Sequence, residues 1–515
     1  MWIEFVILFS VALYLLYRWS ISTYDFFEKK GLPFSKPIPM LGNFYEMILR
    51  RKSMFDIMVD KYNEHDGKVY GVFDQRQPLL LIRDPELVKQ IAIKDFDHFV
   101  NHRSLFDDND SKELFAASLF LMKDNRWKDM RSTLSPAFTG SKMRSMFQLM
   151  NEVAQHTLAH VKKQPAVFTQ QGLELQVKDF ITRFTNDIIA STAFGLQVNS
   201  YDNMDNEFYR MGKKVTQFSF KQNMKFMFFA NFKKLMRILD IQLFDKECTQ
   251  YFMSLVLDAM KYRQQHNVHR PDMIHMLMES RGMFKDQEHL KTTNREWSDV
   301  DIVGQCFLFF FAGFETSAAL TCLTTHELME NPDVQEKLLE EIQDVEQQLE
   351  GKTLTYDAIM GMRYLDMVVQ ECLRKWPGAI ATDRVCTKDI TYNLDDGTKV
   401  EFKKGDCVWL PIVGFHRDPK YYENPMKFDP ERFSEENKDK IPPFAFMPFG
   451  VGPRNCIGSR FALLETKVMI YYLLREFKLV PAKKSCIPLK LNPASFQLVP
   501  KDGFWVKFIS RVPAS

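Results

Sequence analysis

Residues 449–458 have the sequence Phe-Gly-Val-Gly-Pro-Arg-Asn-Cys-Ile-Gly, and a helical pattern from Arg460 to Leu474 follows them. The glycines around Cys456 allow the backbone to turn tightly and to approach another group closely. Because the cysteine comes just before a helix, free amides and the positive end of the helix dipole favour its thiolate form. The pattern therefore indicates either a reactive or metal-binding thiolate or, as the alternative, a structural cysteine in a glycine-rich turn.

A lone thiolate in such a loop suits a haem iron, which needs one strong protein ligand and takes four others from the porphyrin. The remaining cysteines give no competing metal site. The chain has 8 cysteines, with no CxxC pair and no histidine at zinc-finger spacing. Since no spacing argues for disulfides either, most of the chain is expected to face a reducing compartment.

Composition excludes little but does limit the partners. The 515 residues allow one to three domains, and 68 Lys+Arg against 66 Asp+Glu leave no global charge that suits nucleic acid. The 46 Phe and 28 Met residues suit a large, adaptable apolar volume around a flat or greasy ligand. An ordinary Phe-rich core has the same composition.

The N-terminus carries an apolar run from Ile3 to Tyr17, interrupted only by Glu4 and Ser10 and followed by Arg18. This pattern predicts a short membrane span that is positive on its downstream side, which keeps the rest of the chain in the cytosol. A cleaved signal peptide is the rival interpretation. The acid, rather than a base, before the run argues against it.

The predicted organisation is an anchor, a connector and one large body. Three prolines between Leu32 and Pro39 predict a stiff hinge. Short strands are expected at 79–83, 390–393 and 399–403, and helical patterns dominate elsewhere, so the body is predicted to be mainly α with small β-sheets. The predicted boundaries are an anchor over 1–19, a linker with the proline-rich hinge over 20–42, and the body over 43–515.

Two helices matter most in the body. One is predicted from Asp299 to Asn331, with a centre at 306–314 that is apolar all round and therefore buried. A second membrane span is the alternative, but nine uninterrupted apolar residues are too few for one. The other helix is predicted from Leu365 to Trp376, before Pro377.

With these features together, the chain resembles the cytochrome P-450 superfamily of haem-thiolate monooxygenases. The haem-binding signature of that family, FxxGxxxCxG, is matched at Phe449, Gly452, Cys456 and Gly458. The resemblance implies the cytochrome P-450 fold, mainly α with small sheets and preceded by one N-terminal transmembrane helix. It also implies haem b as the cofactor, with Cys456 as the axial ligand of its iron.

The family's ExxR pair is matched by Glu371 and Arg374, which share one face of a helix. Such a pair alone carries little weight, because exposed helices contain it by chance. Together with Arg432 in the downstream Pro-Glu-Arg-Phe, it resembles the Glu-Arg-Arg core cluster of the family. The implied role is to brace the cysteine loop and not to perform chemistry.

The oxygen-activating motif AGxxT is matched by residues 312–316. Ala312 and Thr316 share a stripe of the long helix, and Gly313 beside them is expected to let a flat macrocycle approach. Thr316 can hydrogen-bond within its own helix and loosen it, and Glu315 is the predicted proton source behind it. Helix packing with a solvent-facing glutamate is the alternative.

Haem propionates need cations, and the sequence offers several. Trp127 and Arg131 match the family's WxxxR helix, which places an indole donor and a guanidinium one turn apart. Arg454 and Arg384 are further candidates by resemblance. His102 and Arg103 form a last pair of candidates, between which the sequence does not choose.

The finer resemblance is to insect microsomal family 9, in the clan that also holds the vertebrate drug-oxidising family 3. It implies O2-dependent oxidation of small lipophilic substrates, mainly foreign chemicals such as plant toxins and insecticides. Electrons would come from NADPH through NADPH–cytochrome P-450 reductase, with cytochrome b5 as a further candidate partner, at the cytosolic face of the endoplasmic reticulum membrane. Oxidation of a hormone or fatty acid, a haem-thiolate isomerase and a non-catalytic haem binder are the alternatives.

Two surfaces are predicted to meet partners. A basic patch for the acidic reductase is expected on the cysteine side, from Arg126, Lys128, Arg454, Arg460 and Lys467. Residues 207–237 contain eight basic residues, one acidic residue and six phenylalanines from Phe218 to Phe232, which suits a segment dipping into lipid near the substrate entrance. No nucleic-acid-binding module accompanies these charges. By analogy, the substrate pocket is expected at 105–122, 207–237, 307–316, 379–383 and 495–498.

Overall fold

A computed structural model describes residues 1–104, 106, 113–216, 220–270, 272–283, 296–495 and 497–511 of the chain. Within these residues, the helices are α1 (Trp2–Ile21), α2 (Phe26–Lys30), α3 (Tyr45–Ile48), α4 (Met54–Asn63), α5 (Pro85–Lys89), α6 (Asp124–Leu134), α7 (Gly140–Lys162), α8 (Val177–Phe194), α9 (Glu207–Thr216), α10 (Phe220–Ile238), α11 (Lys246–His266), α12 (Met273–Ser280), α13 (Asp299–Glu330), α14 (Pro332–Leu349), α15 (Tyr356–Gly361), α16 (Arg363–Lys375), α17 (Ile412–Arg417) and α18 (Ser459–Glu476). The strands are β1 (Val69–Asp74), β2 (Gln77–Ile82), β3 (Leu173–Gln176), β4 (Thr382–Val385), β5 (Ile390–Asn393), β6 (Lys399–Phe402), β7 (Cys407–Leu410), β8 (Phe477–Pro481) and β9 (Trp505–Ser510). The predicted mainly helical body with small sheets is confirmed.

The long helix α13 crosses the core of the body. It begins at a capping box, in which Ser298 Oγ accepts from the Asp301 amide at 3.2 Å and Asp301 Oδ2 accepts from the Ser298 amide at 3.0 Å. It ends before Pro332, which cannot continue the hydrogen-bond ladder. Helices α8, α11, α16 and α18 pack around it. Of the apolar centre at 306–314, which was predicted to be buried, Cys306, Phe307, Phe310 and Phe314 are buried and the other five residues are half-buried.

Three small sheets flank the helical core. The largest has the strand order β1-β2-β7-β4, in which β2 and β7 are parallel and the other neighbours are antiparallel. A second sheet has the order β3-β9-β8, and β5 and β6 form a hairpin ladder. In the first sheet, β4 pairs with β7 from Thr382 opposite Leu410 to Val385 opposite Cys407. This register fixes the position of Arg384 within the sheet.

In the part of the chain that the structure describes, two helices are long and apolar enough to cross a membrane, namely α13 and the N-terminal α1. Most of the apolar window of α13 is buried inside the body, as expected for a core helix. By contrast, only 6% of the corresponding window at the N-terminus is buried. Helix α1 is therefore the candidate membrane span, in agreement with the predicted anchor.

The segment after the anchor lies on the body. Phe27 of α2 is fully buried between the rings of Phe34 and Phe73, with ring centroids 5.7 and 5.0 Å away. The Phe34 backbone also forms a bridge with Gly71 of β1. The aromatic contacts that hold residues 27–35 against the sheet were not apparent from the proline spacing, which predicted only a stiff connector.

Candidate active site

The loop before α18 is held by its own backbone. The Cys456 amide donates to the Phe449 carbonyl at 2.8 Å, which closes the loop around the cysteine. Gly450 and Gly452 have φ angles of 74° and 73°, which disfavour other residues. A side chain at Gly452 would also collide with the Ala92 carbonyl. Both glycines are therefore needed for the loop to lie where it does.

Cys456 is exposed, whereas six of the other seven cysteines are buried and Cys486 is half-buried; all eight are unpaired thiols. Although the residue is exposed, protein surrounds most of its sulfur, and the resulting desolvation raises the pKa of the Cys456 thiol. The Gly458 amide and the Arg131 guanidinium oppose that rise. The Cys456 sulfur is thus accessible and lies near the Arg131 cation.

Arg131 and Arg454 attach neighbouring elements to this loop. Arg131 of α6 donates to the Asn455 carbonyl at 2.8 Å and to Asn455 Oδ1 at 2.9 Å. The Arg454 guanidinium lies 4.0 Å from the centre of the Trp127 ring and donates to the Val100 and Met122 carbonyls at 2.8 and 2.7 Å. These contacts of Arg131 and Arg454 attach helix α6 to the cysteine loop.

Arg384 and Arg454 form a buried positive cluster. Arg384 is fully buried on β4, and its bonds go to Thr382 Oγ1, to the Asp383 carbonyl and to the Val451 carbonyl. Burial lowers the pKa of Arg384 to about 10. Burial and repulsion by Arg384 lower the pKa of Arg454 to about 9. Neither guanidinium has a carboxylate within ion-pair distance among the residues that the structure describes.

Of the two candidates that the sequence left open, the structure places His102 in this cluster. His102 is buried, and its Nδ1 lies 3.0 Å from Asp383 Oδ1, while burial lowers the pKa of its imidazole. The side chain of Arg103 points elsewhere and pairs with Asp74 at 2.7 Å. Asp383, which also accepts from the Arg103 amide at 2.5 Å, orients both residues.

Glu371, Arg374 and Arg432 come together behind the loop. Glu371 and Arg374 are fully buried and form a bidentate pair, with N–O distances of 2.7 and 2.8 Å. Arg432 Nε lies 3.5 Å from Glu371 Oε1, and the Asp429 amide donates to the same oxygen at 2.9 Å. The cluster therefore joins α16 to the segment that leads into the cysteine loop.

On α13, Thr316 is exposed and its hydroxyl donates to the Ala312 carbonyl at 2.6 Å, one turn back in the same helix. Glu315 forms an ion pair with Lys178 of α8, so it is not the solvent-facing glutamate of the alternative interpretation. Burial raises the pKa of the Glu315 carboxyl, and Lys178 opposes that rise. The acid and the alcohol are adjacent, and both line one cavity.

Gly313 lies against the neighbouring helix α8. A side chain there would collide with Ile189 of α8, so the missing side chain permits close packing of α8 on α13. The role of Gly313 beside a macrocycle stays a prediction.

The inner cavity, with a volume of about 340 Å³, lies beside Glu315 and Thr316. The rest of its lining comes from Ser53, Met54, Phe55, Thr216, Phe311, Ala319, Gly378, Ala379, Ile380, Ala381, Leu491, Ser495, Gln497 and Leu498. Four of the five predicted pocket regions contribute. Of the range 105–122, residues 106 and 113–122 contribute none of this lining, and 105 and 107–112 lie outside the described residues.

Comparison with known proteins identifies the family. The chain matches the Cytochrome P450 family over residues 32–507. It is 61% identical to "Probable cytochrome P450 9f2" of Drosophila melanogaster over 99% of both chains. It is 42% identical to "Cytochrome P450 9e2" of Blattella germanica, over 99% of this chain and 97% of the other. It is 34% identical to "Cytochrome P450 3A11" of Mus musculus over 97% of both.

The chain belongs to the cytochrome P450 family. Its relatives include insect family 9 and vertebrate family 3 members, as the sequence motifs predicted. Membership indicates a monooxygenase oxidoreductase that uses haem and receives electrons from a redox partner. The N-terminal apolar helix fits a microsomal membrane anchor in such a cytochrome P450.

The residues present fit a haem. Buried Arg384 Nε has no hydrogen-bond partner in the described part of the chain, and Arg454 is satisfied only by carbonyls. Burying two guanidinium groups without a carboxylate in ion-pair contact is costly, so their cluster favours further negatively charged oxygens. Haem propionates would supply such oxygens, and the exposed Cys456 sulfur is available as a donor for iron.

The predicted basic patch for a redox partner needs correction. Arg454 is buried, and Lys467 is only 2% exposed and pairs with Asp366 at 2.6 Å. Arg126, Lys128 and Arg460 remain at the surface, although Arg126 pairs with Asp301 and Lys128 lies 3.4 Å from Asp97. Helical spacing cannot tell which basic side chains fold inward, so the sequence overestimated this surface.

Proposed function

We propose that residues 43–515 form the catalytic domain of a haem-thiolate monooxygenase that inserts one atom of O2 into lipophilic substrates. Electrons come from NADPH through a separate reductase, with cytochrome b5 as a further donor. The observation that carries the proposal is the adjacent pair Glu315 and Thr316 in the wall of the inner cavity. An isomerase or a passive haem binder has no need of this acid–alcohol pair.

Each residue of the site has a proposed part in holding the cofactor, haem b. Cys456 is the axial ligand, and Phe449 closes its loop. Trp127, Arg131, Arg384, Arg454 and His102 hold the propionates, and the Glu371, Arg374 and Arg432 cluster braces the loop from behind. When bound, the haem supplies O2 binding and its reductive activation.

Proton delivery is the proposed task of α13. Thr316 Oγ donates to the Ala312 carbonyl, which leaves its lone pairs toward the cavity to accept a proton or orient a water. The raised pKa of Glu315 makes it a better proton donor near neutral pH than an exposed glutamate. Lys178 is a positioning residue, because its ion pair holds the carboxyl in place.

The substrate is proposed to be a bulky lipophilic molecule, with foreign chemicals as the main class. An outer cavity, also of about 340 Å³, shares Met54 and Ser495 with the inner cavity. Its walls are mostly apolar and include four methionines, which adapt to ligands of different shape. Two adjoining cavities with adaptable walls are better suited to substrates of different shapes than to a single hormone.

Thr316→Ala is expected to uncouple electron supply from product formation. Positioned proton transfer typically contributes about a hundredfold to ten-thousandfold, so product formed per NADPH should fall strongly while haem content stays intact. Without the hydroxyl, reduced oxygen should instead leave as hydrogen peroxide. NADPH consumed, peroxide released and product formed are measured in reconstituted membranes with excess reductase.

Thr324→Ala is the matched control for that experiment. Thr324 is buried in the same helix, and its hydroxyl makes the same bond to the carbonyl one turn back, to Leu320 at 2.9 Å. It does not line the inner cavity. Thr316→Ser should restore coupling and Thr324→Ala should leave it unchanged. A Thr316→Ala enzyme with the wild-type product-to-NADPH ratio would refute proton delivery by this hydroxyl.

A second membrane contact is proposed on α10, at the endoplasmic reticulum surface. Phe228, Phe232 and Leu235 are 42%, 37% and 49% exposed, and the Phe232 ring stacks on Trp19 at the end of the anchor helix, 5.3 Å away. Within the predicted segment 207–237, Phe229 is buried and Phe226 lines the outer cavity, whereas Phe218 lies outside the described residues. The lipid-facing part is thus the second half of the segment.

Removing Met1 to Tyr17 is expected to leave a haem protein that still floats with liposomes at low salt, because the α10 face remains. Adding Phe228→Ser, Phe232→Ser and Leu235→Ser should then abolish flotation. The control triple replaces Tyr262, Met360 and Met426, apolar residues of similar exposure elsewhere, with serine. Truncated protein that remains entirely in the aqueous fraction would contradict the second contact.

A further inference from the structure

His416 of α17 is a buried residue that neither the motifs nor the proposed chemistry uses. It has no exposed surface, and its ring stacks on Phe446 with a centroid separation of 5.3 Å. It lies between two parts of the proposed haem-binding machinery, the Glu371–Arg374 pair and the approach to the cysteine loop.

Two hydrogen bonds place His416 between them. Its carbonyl accepts from Arg374 Nη1 at 2.9 Å, and its ring Nε2 accepts from the Met447 amide at 3.0 Å. Because Nε2 is an acceptor, the ring proton belongs on Nδ1. Burial, together with the positive charge of Arg374, lowers the pKa of His416 to about 3, so the acceptor remains available at every physiological pH.

The contact continues along the backbone to the sulfur ligand. The Met447 carbonyl accepts from the Gly450 amide at 2.9 Å, and the Phe449 carbonyl accepts from the Cys456 amide at 2.8 Å. Met447 itself is buried, so its amide would have no water partner if the imidazole were lost. An unpaired buried amide is unfavourable, and the start of the loop would move to satisfy it.

We propose that His416 is a positioning residue that fixes the entry of the cysteine loop and ties it to Arg374. The inference rests on the proposed role of Cys456 as axial ligand. Glu371 and Arg374 meet α17 and the segment around Asp429, whereas the His416 side chain accepts from Met447, two residues before the loop. His416 therefore connects the buried Glu371–Arg374 pair to the loop that sets the position of the Cys456 sulfur.

The test compares full-length His416→Leu, His416→Gln and wild type in lipid nanodiscs. Leucine removes the acceptor, whereas the glutamine side-chain oxygen can reach the position of Nε2. Exchange of the Met447 amide should speed up roughly tenfold or more in His416→Leu, as expected for one lost hydrogen bond, and return toward wild type in His416→Gln. The fraction of the reduced carbon monoxide complex that keeps the thiolate band should likewise fall in His416→Leu and recover in His416→Gln.

His326→Leu is the matched control, since His326 is also buried and packs on a phenylalanine, Phe504. It should lower stability without changing Met447 exchange or the thiolate band. Wild-type exchange and a wild-type band in His416→Leu would overturn the inference alone. A wild-type protein without the thiolate band would instead overturn the proposed function, so the two failures are distinguishable.

Discussion

Arg374→Leu is expected to abolish stable haem binding and to destabilise the fold by about 3–5 kcal/mol, the usual consequence of breaking a buried ion pair. Glu371 has no exposed surface, and without Arg374 its carboxylate keeps only the Asp429 amide and Arg432 at 3.5 Å. The loss is a large share of the total stability of a folded domain. Chemical unfolding measures the loss of stability, and haem content per protein measures the loss of haem binding.

Two comparisons separate an unpaired buried charge from a general loss of packing. Glu371→Leu combined with Arg374→Leu should unfold less readily than Arg374→Leu alone, because the fully buried Glu371 carboxylate is then no longer left without Arg374. Arg144→Leu removes a cation from an exposed pair with Asp357 and should change neither stability nor haem content. Equal stability of Arg374→Leu and wild type would contradict the bracing role.

Local signals made much of this fold predictable. The strands at 390–393 and 399–403 appear as β5 and β6, and the helix expected from Asp299 ends one residue before Asn331, where the predicted stop lies. Apolar periodicity and proline positions depend on neighbouring residues in the chain, so the sequence carries them directly. The glycine positions around Cys456 were predictable for a similar reason, because a positive φ angle is a local requirement of the backbone.

Contacts between distant segments were beyond such signals. Lys178 lies 137 residues from Glu315, and no spacing links the two. Gly313 was predicted to lie beside a cofactor, and its close packing against Ile189 of α8 had no signal in the sequence. His416 was missed for the same reason, although a histidine just before an Arg-Asp-Pro turn was visible. A periodic pattern predicts which face of a helix is buried, but not what packs against it.

The assignment of Cys456 as the iron ligand is the central claim. Six of the other cysteines are buried, so their sulfur atoms are not accessible to an iron atom. Cys486 is the nearest comparison, because it is half-buried yet lies outside the glycine-rich loop. Only the loop of Cys456 combines accessible sulfur with a neighbouring guanidinium and the buried arginine cluster.

The most direct measurement is the reduced carbon monoxide difference spectrum of wild type, Cys456→Ser and Cys486→Ser, each with its haem content. Wild type and Cys486→Ser should both give the red-shifted band of a thiolate-ligated haem. Cys456→Ser should lose that band and all NADPH-dependent product formation. A thiolate band that persists in Cys456→Ser would contradict the assignment of this cysteine and, with it, the proposed site.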